Sequence, residues 1–381
     1  MIVAVPKEIA PGERRVAVVP ETVARLVKSG TEVVVQAGAG LAAGYRDGDY
    51  EQAGARVVAD AAALYGSADV VLKIEKPRRN EETGQDELEL LKPGSVLIAM
   101  LDPLRNEDLV RRLAERHITS FSMDAIPRIT RAQSMDVLSS QASIAGYKAV
   151  LLAANALPRL FPMMTTAAGT IRPAKVFVLG AGVAGLQAIA TAKRLGAVVE
   201  AFDVRAVTKE QVESLGARFV HIDLEEDAET AGGYAKEVSE ETHRREQELI
   251  HRHAREADVI ITTAQIPGKP APRLITEAMV KDMKEGSVIV DVAAPTGGNC
   301  ELTELGRDVV KHGVTIIGPA NLPAMVPYHA SQMYSRNIVT FFETLVKDGK
   351  VVTDLADEVV KSCLVTDGGR VVFPPLQAKN G

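Results

Sequence analysis

One run of small residues, Gly180-Ala181-Gly182-Val183-Ala184-Gly185, has the spacing of a turn that cradles phosphate oxygens. The apolar stretch before it, 175–179, has the pattern of a buried strand, and 186–195 that of a helix. In that setting each glycine has its own task. Gly180 permits the tight turn, Gly182 lets the backbone approach a pyrophosphate, and Gly185 lets helix and strand pack closely. The helix start then offers free N–H groups and a positive dipole end to the phosphates. Asp203 ends the next predicted strand, at about the 20-residue offset where an acidic residue meets a ribose. A carboxylate there accepts from a ribose hydroxyl and repels a 2′-phosphate, so NAD(H) is expected rather than NADP(H). Arg205, two residues on, either softens that repulsion or is a solvated charge. Ala181, Val183, Val204, Thr263, Ala264 and Gln265 complete the expected cofactor-binding set on this side of the chain.

A second polar concentration is Pro127-Arg128-Ile129-Thr130-Arg131-Ala132-Gln133-Ser134-Met135-Asp136-Val137-Leu138-Ser139-Ser140-Gln141. It lies between two α/β series, and ligands of open α/β proteins bind in such crevices. A polar linker without a role is the alternative. Lys73 and Arg15 either line a cleft or form surface salt bridges. His251 and His253 lack the cysteine or carboxylate pattern of a metal site, so no metal is expected. The first turn of the chain, Pro6-Lys7-Glu8-Ile9-Ala10-Pro11-Gly12, has no glycine cradle, which leaves one nucleotide per chain.

The elements that must carry these residues alternate between short β-branched runs and helical stretches. This predicts two Rossmann-like, doubly wound parallel sheets with helices on both faces. Expected strands are 2–5, 32–36, 56–59, 70–74, 96–100 and 119–123, then 175–179, 198–203, 218–222, 259–263, 288–292 and 314–318. Helices are expected at 20–29, 106–117, 184–195 and 209–215, with Thr208 and Gln211 at capping-box spacing. The two series echo each other. Ala68-Asp69-Val70-Val71-Leu72 matches Ala257-Asp258-Val259-Ile260-Ile261, and Lys92-Pro93-Gly94-Ser95-Val96 matches Lys284-Glu285-Gly286-Ser287-Val288. The segment 125–172 reads as mostly helical and 331–346 as a helix, followed by a hairpin at Asp367-Gly368-Gly369. That tail is expected to pack on the first domain, giving residues 1–135 plus 321–381, with 136–320 as the nucleotide domain. The charged insertion at about 223–257, with Ala231-Gly232-Gly233-Tyr234 near its start, is either a solvated helix or a mobile lid.

A net charge of −6 argues against a nucleic-acid binder. The two cysteines, Cys300 and Cys363, suit a reducing compartment rather than a disulfide framework. No run approaches the ~18 apolar residues of a membrane span, and the N-terminus lacks signal-peptide character. Direct membrane insertion is therefore not expected.

Several of these segments together resemble a known family. Arg128-Ile129-Thr130-Arg131-Ala132-Gln133-Ser134-Met135-Asp136, Phe161-Pro162-Met163-Met164-Thr165-Thr166-Ala167-Ala168-Gly169-Thr170, 185–197 and Glu229-Thr230-Ala231-Gly232-Gly233-Tyr234-Ala235-Lys236-Glu237 resemble the NAD(H)-binding part of proton-translocating nicotinamide nucleotide transhydrogenase. The resemblance covers essentially the whole chain. It implies NAD(H) on this chain, NADP(H) on a partner subunit, and a membrane-spanning partner that conducts protons. It further implies a Si-specific/Re-specific enzyme, a homodimer, and a location on the cytoplasmic face of the inner membrane, held there by the partners. By the same resemblance Arg128 and Asp136 hold the nicotinamide carboxamide, Ser139 adds a contact, and Gln133 reaches toward the partner's nucleotide. Tyr234 closes over the bound cofactor, and Gly233 beside it belongs to the cofactor-binding set. Alanine dehydrogenase shares many motifs, and Arg15, Lys73 and Asn321-Leu322-Pro323 resemble its substrate-binding positions. Met100, however, stands where that family has its catalytic histidine.

Overall fold

The structure is a computed structural model that describes residues 1–221, 240–266 and 268–377. The chain divides into two units, Met1–Gln141 with Ala324–Gly381, and Ala142–Pro323. The division falls within the long helix Val137–Ala156. That helix is the one described helix long and apolar enough to cross a membrane. Its Ala145, Ala149, Val150 and Ala153 instead fill the core of the second unit.

In the first unit the sheet runs Arg56–Val58, Glu32–Gln36, Ile2–Val5, Val70–Glu75, Val96–Met100, Thr119–Ser122, Leu364–Asp367, Arg370–Val371. The first six are parallel and the last two join antiparallel. In the second unit the order is Arg218–Val220, Val198–Phe202, Lys175–Leu179, Val259–Thr262, Val288–Asp291, Val314–Gly318, Arg307–Lys311. Here only the last strand is antiparallel. Counted along the chain, the parallel strands of each sheet follow the order 3-2-1-4-5-6 of dinucleotide-binding folds. These central strands are nearly continuous apolar runs because helices cover both faces. In the first unit Val23, Leu26, Ile338 and Phe341 pack on one face and Leu64, Tyr65, Val110 and Leu113 on the other. In the second, Ala188, Ile189 and Ala192 lie on one face and Ile250, Ala254 and Val280 on the other.

The echoed sequences play the same part twice. Asp69 accepts from the Ile2 N–H at 2.8 Å, and Asp258 from the Lys175 N–H at 2.8 Å. Each carboxylate thus ties the first strand of its sheet to the fourth. Lys92 pairs with Asp69 at 3.9 Å and Lys284 with Asp258 at 3.0 Å.

Three local expectations are corrected. The segment 125–172 contains a hairpin, Met164–Thr166 with Gly169–Ile171, which lies outside both sheets with every strand residue exposed. Without a face to bury, its sequence has no periodic signature. Thr208 is not a cap. It lies inside the helix Thr208–Ser214 and its hydroxyl donates back to the Arg205 carbonyl at 2.8 Å. Several strands also end one or two residues early, among them Arg218–Val220 and Val259–Thr262. Of the charged insertion, Glu240–Glu256 is a helix that seats Ile250 and Ala254 against the sheet. Gly233 and Tyr234 lie outside the described residues.

Candidate functional site

In the second unit the strand order reverses between Lys175–Leu179 and Val259–Thr262. Ligands of open α/β sheets bind beyond the carboxyl ends of the strands at such a point. The glycine turn lies there. Gly180 has φ +94°, a left-handed conformation that a side chain resists. A Cβ on Gly185 would fall 1.8 Å from the Gly180 carbonyl oxygen. Among the described residues a Cβ on Gly182 would meet nothing closer than the Arg205 Nη2 at 4.0 Å. Gly180 and Gly185 are therefore required by the fold itself, whereas Gly182 leaves open space above the start of the helix Val183–Arg194. Its N-cap is Gly182, which has no side chain to cap the helix start.

Gly185→Ala is accordingly expected to destabilise the second unit by ~1–3 kcal/mol or more through overpacking. Gly182→Ala should leave thermal unfolding unchanged and appear only as weaker NADH binding. Unfolding scans and fluorescence titration of both variants separate the two roles. Equal effects of the two on unfolding would contradict the assignment.

Around the turn, Asp203 is buried and takes the Ala181 N–H at 2.7 Å. It also takes the Arg205 N–H at 2.9 Å and a two-pronged bond from the Arg205 guanidinium, with Nε and Nη2 each at 2.8 Å. Thr263 donates to the carbonyls of Leu179 and Gly180, at 3.2 and 3.0 Å, so it braces the turn. Ala264 is held at both ends by Asn299, whose Oδ1 accepts from its N–H at 3.0 Å and whose Nδ2 donates to its carbonyl at 2.9 Å. Gln265 is exposed and Val204 packs against the apolar core. Asn299, fully buried, is a site residue that sequence reasoning misses. Its position after Gly297-Gly298, both at positive φ, is the one available signal.

The polar segment of the first unit is also built, rather than loose. Thr130–Met135 is a 3₁₀ turn whose Ala132 and Met135 are buried. Arg131 forms a two-pronged pair with Asp357, and the Asn337 amide donates to the Ser134 carbonyl at 2.7 Å. Gln133 lies exposed between these anchors, and Arg128 is exposed just before them. Asp136 accepts the Ser139 N–H at 2.9 Å and the Ser139 hydroxyl at 2.5 Å. It thereby caps the helix Val137–Ala156. Arg128, Gln133, Asp136 and Ser139 thus fall on one continuous scaffold of the first unit.

The reversal point of the first unit is closed from within. There Glu8 takes the Ile74 N–H at 2.7 Å and the Glu75 N–H at 3.4 Å, the position where the second unit has its glycine turn. Lys73, fully buried, donates to Glu8 at 3.3 Å and to Glu87 at 2.7 Å. Burial opposes its charge, but the two carboxylates outweigh burial and hold the ammonium above its ordinary range. Burial pushes the Glu8 carboxyl up to about 7, against the pull of Lys73. Arg15 is spent in the same way. Its Nε and Nη2 grip Glu13 at 2.8 and 2.6 Å and its Nη1 donates to Gln141 at 2.8 Å. Both cations are buried, so neither is a surface charge. His251 and His253 pair with different carboxylates, Asp282 and Glu200, each at 2.7 Å. Among the described residues no cluster has the makings of a metal site.

Comparison with known proteins agrees with this geometry. Residues 4–145 match the alanine dehydrogenase/PNT N-terminal domain and residues 149–374 the alanine dehydrogenase/PNT C-terminal domain. The chain is 53% identical over 380 residues to an NAD(P) transhydrogenase alpha subunit of Rhodospirillum rubrum, covering 99% of each. It is 46% identical to the crystal structure of transhydrogenase from Sinorhizobium meliloti, with a TM-score of 0.85 over 98% of this chain and 100% of that one. An L-alanine dehydrogenase structure is 27% identical, with a TM-score of 0.83 over 99% of this chain and 98% of that one. With both of its domains matched and a relative this similar along its whole length, the chain belongs to the alanine dehydrogenase/PNT family, on the side of the NAD(P) transhydrogenase alpha subunits.

Proposed function

We propose that this chain is the NAD(H)-binding subunit of a proton-translocating transhydrogenase. Hydride passes directly between NAD(H) on this chain and NADP(H) on a partner subunit. The observation that carries the reading is the Gly180–Gly185 turn at the strand reversal, with Asp203 bonded to its Ala181 N–H. The open space over Gly182 fits a pyrophosphate, and Asp203 fits a ribose diol. The two nicotinamide rings supply the hydride donor and acceptor. The residues of this chain bind and orient. Arg128 and Asp136 hold the carboxamide, Ser139 supports Asp136, and Gln133 faces the partner's nucleotide. Tyr234 closes over the site. Such a transfer needs no general acid or base on this chain, only approach to ~3–3.5 Å with alignment and exclusion of water.

The closure of Arg15 and Lys73 by carboxylates, together with Met100, favours this reading over oxidation of an amino acid. That reaction needs a cation for the substrate carboxylate and a proton-transfer group typically worth ~10²–10⁴-fold. A membrane-spanning partner conducts the protons, and this chain docks to it on the cytoplasmic face. The hairpin that exposes Met164 and Ile171 is the kind of apolar surface a homodimer covers.

The test is hydride transfer from NADPH to an acetylpyridine analogue of NAD, followed by absorbance. The chain is assayed alone and with membranes that carry the partner subunits but lack this one. Activity only in the mixture is expected. Inactivity with competent partner subunits, or oxidation of alanine by the chain alone, would overturn the reading.

A further inference from the structure

A carboxylate has about four lone-pair positions. At Asp203 all four are occupied from within the second unit. Two are taken by backbone, the Ala181 N–H on Oδ2 and the Arg205 N–H on Oδ1. The other two are taken by the planar fork of Arg205, Nε on Oδ1 and Nη2 on Oδ2. The fork and a ribose diol present the same pattern, two parallel donors to two carboxylate oxygens. A diol therefore has no acceptor left on Asp203 unless the fork leaves. The backbone bonds are part of the turn and the strand end, so the side chain of Arg205 is the partner that can move. Among the described residues it is the nearest group to the space over Gly182, at 4.0 Å from a Cβ built there. A guanidinium released from Asp203 is thus already beside the position that suits a pyrophosphate.

We infer that Arg205 is a built-in stand-in for the ribose hydroxyls, and so a specificity-determining residue of this site. It keeps the buried carboxylate satisfied without nucleotide, and binding exchanges it for the diol while moving its charge toward the phosphates. The inference rests on the NAD(H) reading above and goes beyond it, because it makes Arg205 a competitor for Asp203 rather than a simple ligand.

Exchange has a signature that a fixed ligand lacks. When the nucleotide has no adenosine 2′-hydroxyl, the wild-type fork keeps its bond to Asp203, and little is lost. With the fork removed, nothing replaces the missing hydroxyl and the buried carboxylate is left short of donors. NADH and its adenosine 2′-deoxy analogue are titrated by fluorescence against the wild type, Arg205→Ala and Arg205→Met. The loss of affinity on removing the hydroxyl is expected to be about two- to threefold in the wild type. It should be tenfold or more in both variants, as for a bond to a charged group. Equal ratios in all three proteins, or a larger ratio in the wild type, would overturn the inference. Met is included because it keeps an unbranched stem beside the turn and has no donor for Asp203, so that loss of packing in the Ala variant cannot imitate the effect. Failure of the NAD(H) reading itself looks different, since the wild type would then bind neither nucleotide.

Discussion

Asp136→Asn is expected to reduce hydride transfer about 100-fold while leaving NADH affinity within about threefold of wild type. The substitution is unusually clean at this position. Asp136 caps the helix Val137–Ala156 through the Ser139 N–H, and Asn caps a helix about as well as Asp. What is lost is the charge and one strong acceptor, the Oδ2 that takes the Ser139 hydroxyl. An amide in its place is free to turn its NH₂ toward that hydroxyl or toward the carboxamide, so the nicotinamide ring loses a unique orientation. Misplacement of reacting atoms by about 1 Å costs about 100-fold in rate. On the proposed reading the phosphates and ribose are held by the Gly180–Gly185 turn and Asp203, so the affinity should change little. Reconstituted transhydrogenation and NADH titration check the prediction. A parallel loss of binding, or an unaltered rate, would remove Asp136 from the site.

The largest effect on stability is expected at Lys73. Replacing it by Met keeps most of the volume and removes the charge, leaving Glu8 and Glu87 buried without a counter-ion. Breaking a buried pair in this way costs ~3–5 kcal/mol. The loss depends on pH, and the sign follows from Glu8. Its carboxyl titrates at about 7 in the fold, above the ordinary 4.5, because it is buried. Between those values the folded chain holds a proton that the unfolded chain has released. The stability associated with that proton is complete below about 4.5 and is lost as the pH rises through about 7. A protonated Glu8 needs no counter-ion. The Lys73→Met deficit should therefore be largest at about pH 8 and narrow toward about pH 5. Urea unfolding of the first unit at both values measures it. A deficit below about 1 kcal/mol, or one that does not change with pH, would mean that Lys73 is not the charge that holds this closure together.

Much of this architecture is legible in the chain because it repeats a few physical rules. The central strands, such as Ile2–Val5, Lys175–Leu179 and Val314–Gly318, are short β-branched runs bounded by turn residues. The echo between Asp69 and Asp258 is visible because the same carboxylate has to receive the first strand of each sheet. What escapes such a reading has no periodic signature. The hairpin at Met164–Thr166 and Gly169–Ile171 buries no face, and at Thr208 a capping pattern competes with a hydroxyl that bonds back along the chain. Asn299 and Asn337 are single polar residues far in sequence from the segments they hold, Ala264 and the Ser134 carbonyl.

Local spacing was enough to specify two wound α/β sheets, a single glycine turn of the phosphate-cradling kind, and an acidic residue at the offset that suits a ribose. These features are readable in one dimension because a turn, a strand end and a helix start are set by neighbouring residues. Which charges remain available is a matter of three dimensions. Arg15 and Lys73 read as cleft-lining or surface cations in the chain, yet both are buried, Lys73 between Glu8 and Glu87 and Arg15 against Glu13 and Glu75. Asp203 reads as an open acceptor, yet Arg205 fills it. The availability of a charge depends on its desolvation and on its partners. Glu13 and Arg205 lie two residues from the groups they engage, but the carboxylates around Lys73 and the Ala181 N–H on Asp203 are brought there by the fold, which the spacing of residues along the chain does not contain.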